Sequence, residues 1–256
     1  MRLLIIGDIV GKPGRKAVKE SLSQLKRQTE FDFVIANGEN AAGGKGITRI
    51  IFDELMSYGV DAITMGNHVW NNKDIFSFIG DEPRLIRPAN YPKGTPGRGF
   101  NSFCAGGHTI TVVNLCGQVF MPDLDCPFYK IDSILNSLQG KHQIVVLDFH
   151  AEATSEKKAM AAYLDGRVAV VCGTHTHVQT ADEQILPEGT AYITDIGMTG
   201  PRNSIIGVKK DSVIKKFLTK MPQKFDVAGG CYQFNAVAVE IDENNQKPKN
   251  ITRIQC

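Results

Sequence analysis

Short apolar runs alternate with helix-periodic stretches over the first two-thirds of the 256-residue chain. LLIIGD (3–8) is followed by Ala17, Val18, Leu22 and Leu25 at helical spacing, which predicts an amphipathic helix over 13–28 with Pro13 in its first turn. FDFVIAN (31–37) is the next strand, and TRIIFDELMSYG (48–59) the next helix, with Thr48 as N-cap and Gly59 as its stop. DAITMGN (61–67), HTITVVNL (108–115), HQIVVLDF (142–149), VAVVCG (168–173) and AYITDIG (191–197) read as further strands. Residues 132–138, 155–164 and 211–220 read as helices. CYQFNAVAVEI (231–241) and NITRIQ (250–255) alternate, as antiparallel strands at a sheet edge do. This order predicts an α/β fold with a largely parallel core sheet. RPANYPKGTPGRGF (87–100) is rich in Pro and Gly, but strand material resumes directly after it. A loop inside one domain, 1–256, is therefore expected rather than a linker.

Composition narrows the class. A hydrophobic fraction of 42% and a charged fraction of 22% are those of an ordinary globular protein, and the length is ample for a core. The net charge of +2 is too small to argue for nucleic acid or a membrane surface as partner. The six cysteines are scattered without a C-x-x-C pair, and Cys116 and Cys172 sit in or beside apolar runs, where they pack as small hydrophobes. That usage suits a reducing compartment. The start of the chain lacks a signal-peptide pattern, and no run approaches the ~18 residues that would span a bilayer. A cytoplasmic protein is expected, with no membrane partner.

Chemistry gathers where the strands end. LLIIG ends in Asp8, FVIANG in Glu39 and Asn40, DAITMG in Asn67 and His68, IVVLDF in His150, and VAVVCGT in His175 and His177. Ligands of open α/β sheets bind at that edge. The remaining histidines, His108 and His142, begin strands and read as surface or turn residues. Any one of these residues alone is ordinarily a turn or cap residue, as an Asp after a strand is. Five strand ends that all offer N/O ligands, including two histidines two apart in a glycine-led loop, point to a metal instead. Carboxylates, amides and imidazoles without thiolate suit a catalytic transition-metal site (Fe, Mn, Co, Ni or Zn). Seven ligands are too many for one ion but suffice for two, about 3.5–4 Å apart, with Glu39 as the natural bridge.

IIGDIVGKPGR (5–15) also invites a phosphate-loop reading, which fails on spacing. A Walker loop needs four residues between its glycines and a hydroxyl after the lysine; here three separate Gly7 from Gly11, and Pro13 follows Lys12. G-x-G-x-x-G fails too, because Asp8 and Ile9 follow Gly7.

In order, G-D-I-V, G-E-N, G-N-H, D-F-H and G-T-H-T-H resemble the motif series of the calcineurin-like metallophosphoesterases. Two departures mark a branch. Val10 stands where that series has the histidine of D-x-H, and Glu39 replaces the bridging aspartate, with Asn40 after it. With H-A-E-A-T-S-E-K (150–157) and I-T-D-I-G-M-T-G-P (193–201), these departures look like the bacterial YmdB-like phosphodiesterases. The resemblance implies a β-sandwich flanked by helices on both sides (αββα), with late antiparallel strands. It implies one ion held by Asp8, Glu39, Asn40 and His177, and a second held by Glu39, Asn67, His150 and His175. Two divalent transition metals are expected, iron first, manganese or zinc next. The implied substrates are 2′,3′- and 3′,5′-cyclic nucleotides. On this ligand set a hydroxide bridging the two ions is expected to attack phosphorus, and His68, which takes no metal, is free to protonate the leaving alkoxide as general acid. RNA ends are a further substrate class that nothing in the pattern supports. A homo-oligomer is expected. The competing reading is a regulatory metal-binding protein that acts through partners, with slow or incidental hydrolysis.

Overall fold

The structure is a computed structural model that describes residues 1–139 and 143–256; His142 lies outside the described residues. Its strands build two six-stranded sheets. In the first, β1 (Arg2–Ile6), β3 (Phe33–Asn37), β4 (Ala62–Thr64) and β5 (Leu85–Ile86) run parallel. β14 (Asn235–Ile241) pairs antiparallel with β1, and β15 (Pro248–Gln255) pairs antiparallel with β14. In the second, β7 (His108–Cys116), β8 (Ile144–His150), β9 (Val170–Thr174) and β11 (Ala191–Ile193) run parallel. Antiparallel strands β6 (Phe100–Ala105) and β10 (Gln184–Ile185) close its two edges.

Both faces of each sheet are covered, which explains why strands such as LLII read as unbroken apolar runs. Leu3 and Ile5 of β1 pack with Ile110, Val112 and Val146 of the other sheet. Leu4 and Ile6 point the opposite way, into Val18 and Leu22 of helix α1 (Gly11–Gln28) and Phe52 of α2 (Arg49–Ser57). On the far side, Val113, Leu147 and Phe149 pack with Ile131 of α3 (Pro127–Ser137) and Met160 of α4 (Thr154–Leu164). The result is the four-layer αββα sandwich. Thr48 caps α2 as expected, its Oγ1 accepting from the Ile51 N–H at 3.2 Å. Cys116 and Cys172 are fully buried, and every cysteine is free. Among the described residues no helix is long and apolar enough to cross a membrane.

Three expectations need correction. The expected strand 3–8 breaks at Gly7. Asp8–Ile9 (β2) leaves the first sheet and pairs with β12 (Met198–Pro201), which also pairs with β13 (Tyr232–Gln233). Gly7 is needed for close approach, because a Cβ there would lie 1.9 Å from the Gly197 carbonyl oxygen. The first helix starts at Gly11 rather than Pro13, since Gly11 (φ +57°) turns the chain and donates its N–H to the Asn40 carbonyl at 2.9 Å. β14 is an interior strand between β1 and β15, and only β15 is an edge. β5 and β6 had no expectation: two residues carry no periodicity, and β6 exposes Ser102 and Cys104 at the rim.

Candidate metal centre

Because the parallel strands of both sheets point the same way, their C-terminal ends form one rim, and the eight singled-out residues lie along it. Asp8 follows the break after β1, Glu39 and Asn40 follow β3, and Asn67 and His68 follow β4. His150 ends β8, and His175 and His177 follow β9. Their polar atoms converge. His150 Nε2 lies 3.1 Å from Glu39 Oε1, 3.0 Å from Asn67 Oδ1 and 3.0 Å from His175 Nδ1. Glu39, His150 and His175 offer ligand atoms that all fall within 4.8 Å of one another. On the other side, the Asn40 amide lies 3.1 Å from both Glu39 Oε1 and His177 Nε2, and Asp8 Oδ1 is 4.0 Å from His177 Nε2. Glu39 thus touches both groups of residues. Its Oε2 also accepts the backbone N–H of His68 at 3.1 Å.

Three observations of the donor set fit cations. Asp8 is fully buried, yet its Oδ1 has no hydrogen-bond partner. A buried orphan carboxylate oxygen is costly unless something positive meets it. Gly66 leaves room at the centre: a Cβ there would fall 2.3 Å from Glu39 Oε2 and 2.4 Å from His150 Nε2. His175 and His177 both have positive φ, +98° and +66°, a strained backbone for residues with side chains.

The surrounding network assigns which imidazole nitrogen is free. His150 Nδ1 sits 2.8 Å from Thr174 Oγ1, whose hydroxyl donates to Asp148 Oδ1 at 2.7 Å. Asp148 is itself buried and accepts from Thr64 and Asn37. His150 therefore gives its Nδ1 proton outward and turns Nε2 to the centre. His177 Nδ1 lies 2.9 Å from the Ile206 carbonyl, which likewise frees its Nε2. His175 is reversed: its Nε2 lies 3.0 Å from Glu152 Oε2, so Nδ1 faces the centre. Such outer partners hold ligand rings in orientation and tautomer.

A buried ion pair fixes the loop that carries these histidines. Lys157 Nζ lies 2.6 Å from Asp195 Oδ2, with both side chains 1% exposed. Asp195 also accepts from Thr176 N (3.1 Å), Thr176 Oγ1 (2.7 Å) and Gly197 N (2.7 Å). Thr174, Asp148, Glu152, Lys157 and Asp195 were not singled out from the sequence. Only the strings 150–157 and 193–201, which hold Glu152, Lys157 and Asp195, signalled that anything mattered there.

Electrostatics reflect the crowding. Burial pushes the Asp8 carboxyl up to about 6, partly opposed by His177 and His150. Burial also pushes Glu39 upward, but His150 and His68 outweigh it and hold Glu39 down at about 2. His150, disfavoured as a cation by burial, is raised to about 9 by Glu39 and Asp8. Burial and the neighbouring His150 lower His175 to about 3. The centre can thus hold a proton on His150 between the Glu39 and Asp8 carboxylates.

Val10 is buried in the cleft wall, so close to the 200 and 207 backbone that only glycine fits there: Cβ atoms would come within 2.9 Å and 2.8 Å of it. The cleft in front of the centre measures about 420 Å³, within the usual range for a small-ligand site. His68 and Lys45 line it, together with the apolar side chains of Ile206, Val208 and Phe225.

A family model for YmdB-like proteins matches residues 4–254, a span that takes in every one of the eight singled-out residues. The chain belongs to the YmdB-like family. Its relatives agree along their length. The 2′,3′-cyclic-nucleotide 2′-phosphodiesterase of Bacillus subtilis (strain 168) is 52% identical over 254 residues, covering 99% of this chain and 96% of that protein. Among solved structures, a hypothetical protein from Thermus thermophilus is 43% identical with TM-score 0.94, covering 100% of this chain and 99% of its own. A Mycoplasma pneumoniae structure described as a novel phosphatase is 36% identical with TM-score 0.95, covering 100% and 93%. This YmdB-like chain therefore carries the αββα phosphoesterase architecture over its full length.

Proposed function

We propose that this YmdB-like chain is a single-domain, dinuclear metal-dependent phosphodiesterase. It opens 2′,3′-cyclic nucleotides at the P–O2′ bond and leaves the 3′-phosphate; 3′,5′-cyclic nucleotides are a second substrate class. The observation that carries this reading is the convergence of seven N/O ligands around a buried, unpartnered Asp8 oxygen, beside a glycine whose side chain would fill the space. The 52% identity to the Bacillus subtilis enzyme supports the choice of substrate. Asp8, Glu39, Asn40 and His177 would hold one ion, and Glu39, Asn67, His150 and His175 the other, with iron the first choice and manganese or zinc next. When bound, two divalent ions supply an acidified water as nucleophile and positive charge for the phosphate oxygens.

The chain's own residues do the rest. Thr174, Glu152 and the Ile206 carbonyl hold the three ring orientations, so no imidazole must reorganise to bind an ion. Asn67 Oδ1 faces His150, which leaves its amide N–H groups free to donate to a non-bridging phosphate oxygen. Water adds to phosphorus in line with O2′, the P–O2′ bond breaks, and O2′ must gain a proton. His68 lines the cleft and its Nδ1 lies 3.4 Å from Asn71 Oδ1, so Nε2 is the atom that delivers that proton. The apolar wall of Ile206, Val208 and Phe225 offers a face for the base.

His68→Ala separates these roles. The variant should keep its metal and lose about 10²–10⁴-fold in rate on cyclic nucleotides, the usual contribution of a general acid. It should lose little on an aryl phosphodiester whose leaving group needs no proton. Loss of bound metal in this variant would make His68 a ligand and overturn the assignment.

A further inference from the structure

The catalytic cleft does not end at the apolar wall. A second hollow of about 470 Å³ adjoins it, and the two share Gly43 and Val227 as walls. This second hollow is formed by the start of α1, with Gly11, Lys12, Pro13 and Lys16 on one side and 228–230 on the other. α1 has 18 residues, no acidic residue in its first turn and no side-chain cap on its N-terminus. Lys12 and Lys16, both exposed, therefore face one space. Lys16 Nζ is only 3.7 Å from Glu20 on a solvated surface, a weak tie that an anion can replace. Each hollow is of a size for one small ligand, and a cyclic mononucleotide uses one of them.

The charge around the mouth points the same way. Helix α5 (Lys210–Thr219) is inserted between two short segments that pair across the cleft wall, with Lys209 N–H to the Asp226 carbonyl at 3.0 Å and Ala228 N–H to the Gly207 carbonyl at 2.9 Å. Residues 209–226 hold six lysines and two aspartates, a net +4 in a chain whose total is +2. Lys216 Nζ lies 4.8 Å from the centre of the Phe225 ring, and Phe225 itself lines the catalytic cleft. A basic surface with an interleaved aromatic, continuous with the site, is how proteins track a single-stranded nucleic acid.

We propose that the substrate presented to this site is the 3′ end of an RNA strand carrying a 2′,3′-cyclic phosphate, whose upstream backbone phosphate binds in the second hollow at Lys12 and Lys16. The inference rests on the phosphodiesterase reading above. Only ribose can carry this cyclic ester, and such an end forms when RNA is cleaved by attack of a 2′-hydroxyl on its own phosphate. A strand ending there continues from the 5′ oxygen of its last nucleotide, so it must leave the catalytic cleft, and the adjoining hollow is a positively charged way out. Phe225, with Lys216 beside its ring, stacks the terminal base, and Lys12 and Lys16 line the path.

The test compares a single-stranded oligoribonucleotide ending in 2′,3′-cyclic phosphate with free 2′,3′-cyclic AMP, using the metal-loaded protein. The oligomer should show kcat/KM about tenfold or more above the mononucleotide at low salt, through a lower KM. Anisotropy of the labelled 3′-phosphate oligomer, which is not turned over, gives binding apart from catalysis. The one upstream phosphate held at Lys12 and Lys16 predicts a log–log salt slope of about −0.7, or about 2.6-fold weaker binding between about 50 and about 200 mM salt. Lys12→Ala/Lys16→Ala should remove most of that slope and the oligomer's advantage, while kcat/KM for 2′,3′-cyclic AMP stays unchanged. Equal handling of oligomer and mononucleotide by the wild type overturns the inference and leaves the phosphodiesterase reading intact. So does an unchanged oligomer KM in Lys12→Glu/Lys16→Glu. Failure to hydrolyse either substrate overturns both.

Discussion

Lys157→Met tests whether the buried Lys157–Asp195 pair holds the histidine loop. Methionine keeps most of the unbranched stem that packs beneath Gly173, where an added Cβ would meet Lys157 Cδ at 2.9 Å, so the change removes charge more than volume. The Asp195 carboxylate would then be buried without its cation. Removing one partner of such a pair costs roughly 3–5 kcal/mol. Asp195 keeps Thr176 N, Thr176 Oγ1 and Gly197 N as donors, so the lower end, about 3 kcal/mol, is expected. For a chain of this length that is a fall in melting temperature of about 6–12 °C. Thermal unfolding followed by circular dichroism, with and without metal, reads the shift. Metal should also bind more weakly although neither proposed ligand of the loop has been touched, because Thr176 sits between His175 and His177 at their strained φ angles. Asp195→Asn in the same background should recover about 2 kcal/mol of the summed single losses, since both singles break one interaction. A Lys157→Met protein that melts within about 2 °C of wild type and keeps its metal would refute the role given to the pair.

Other outcomes follow from the centre itself. Gly66→Ala places a methyl group 2.3 Å from Glu39 Oε2, so metal content measured by plasma mass spectrometry should collapse, at a stability cost of about 1–3 kcal/mol. Full metal occupancy in that variant would show that the space behind Gly66 is not the ion site. Metal affinity should rise with pH. His150 is held at about 9 and must lose its Nε2 proton to bind, so log K should climb with a slope of about +1 up to about pH 9. Below about pH 6 the slope should steepen, because Asp8, pushed up to about 6, then carries a proton as well. Competition against a chromophoric chelator across this range measures it, and a flat profile would contradict the protonation pattern.

The proposed ligand positions are legible in the sequence because strand ends are. Each apolar run announces its own end, and parallel strands of a sandwich share a rim, so Asp8, Glu39, Asn67, His150 and His175 come together without any knowledge of side-chain packing. What supports them is not legible. Lys157 and Asp195 are 38 residues apart, on α4 and after β11, and only the packing of the second sheet makes them a pair. Thr174 and Asp148 lie on neighbouring strands, where a threonine and an aspartate read as ordinary strand-end polarity. Gly7 and Gly66 look like turn glycines, yet what each needs is the absence of a Cβ beside a carbonyl or a carboxylate. β2 and β5 are two residues long and carry no period to detect, so the crossing that delivers Asp8 to the centre was invisible.

The most direct test of the account is metal stoichiometry set against turnover in one preparation of wild type and Glu39→Gln. Wild type should carry two transition-metal ions per chain, lose hydrolysis of 2′,3′-cyclic AMP on chelation and regain it when metal is restored. Glu39→Gln, lacking the carboxylate that touches both groups of residues, should lose both metal and turnover. A chelated, metal-free protein that hydrolyses the cyclic ester at the wild-type rate, or a fully active Glu39→Gln, would contradict the dinuclear site.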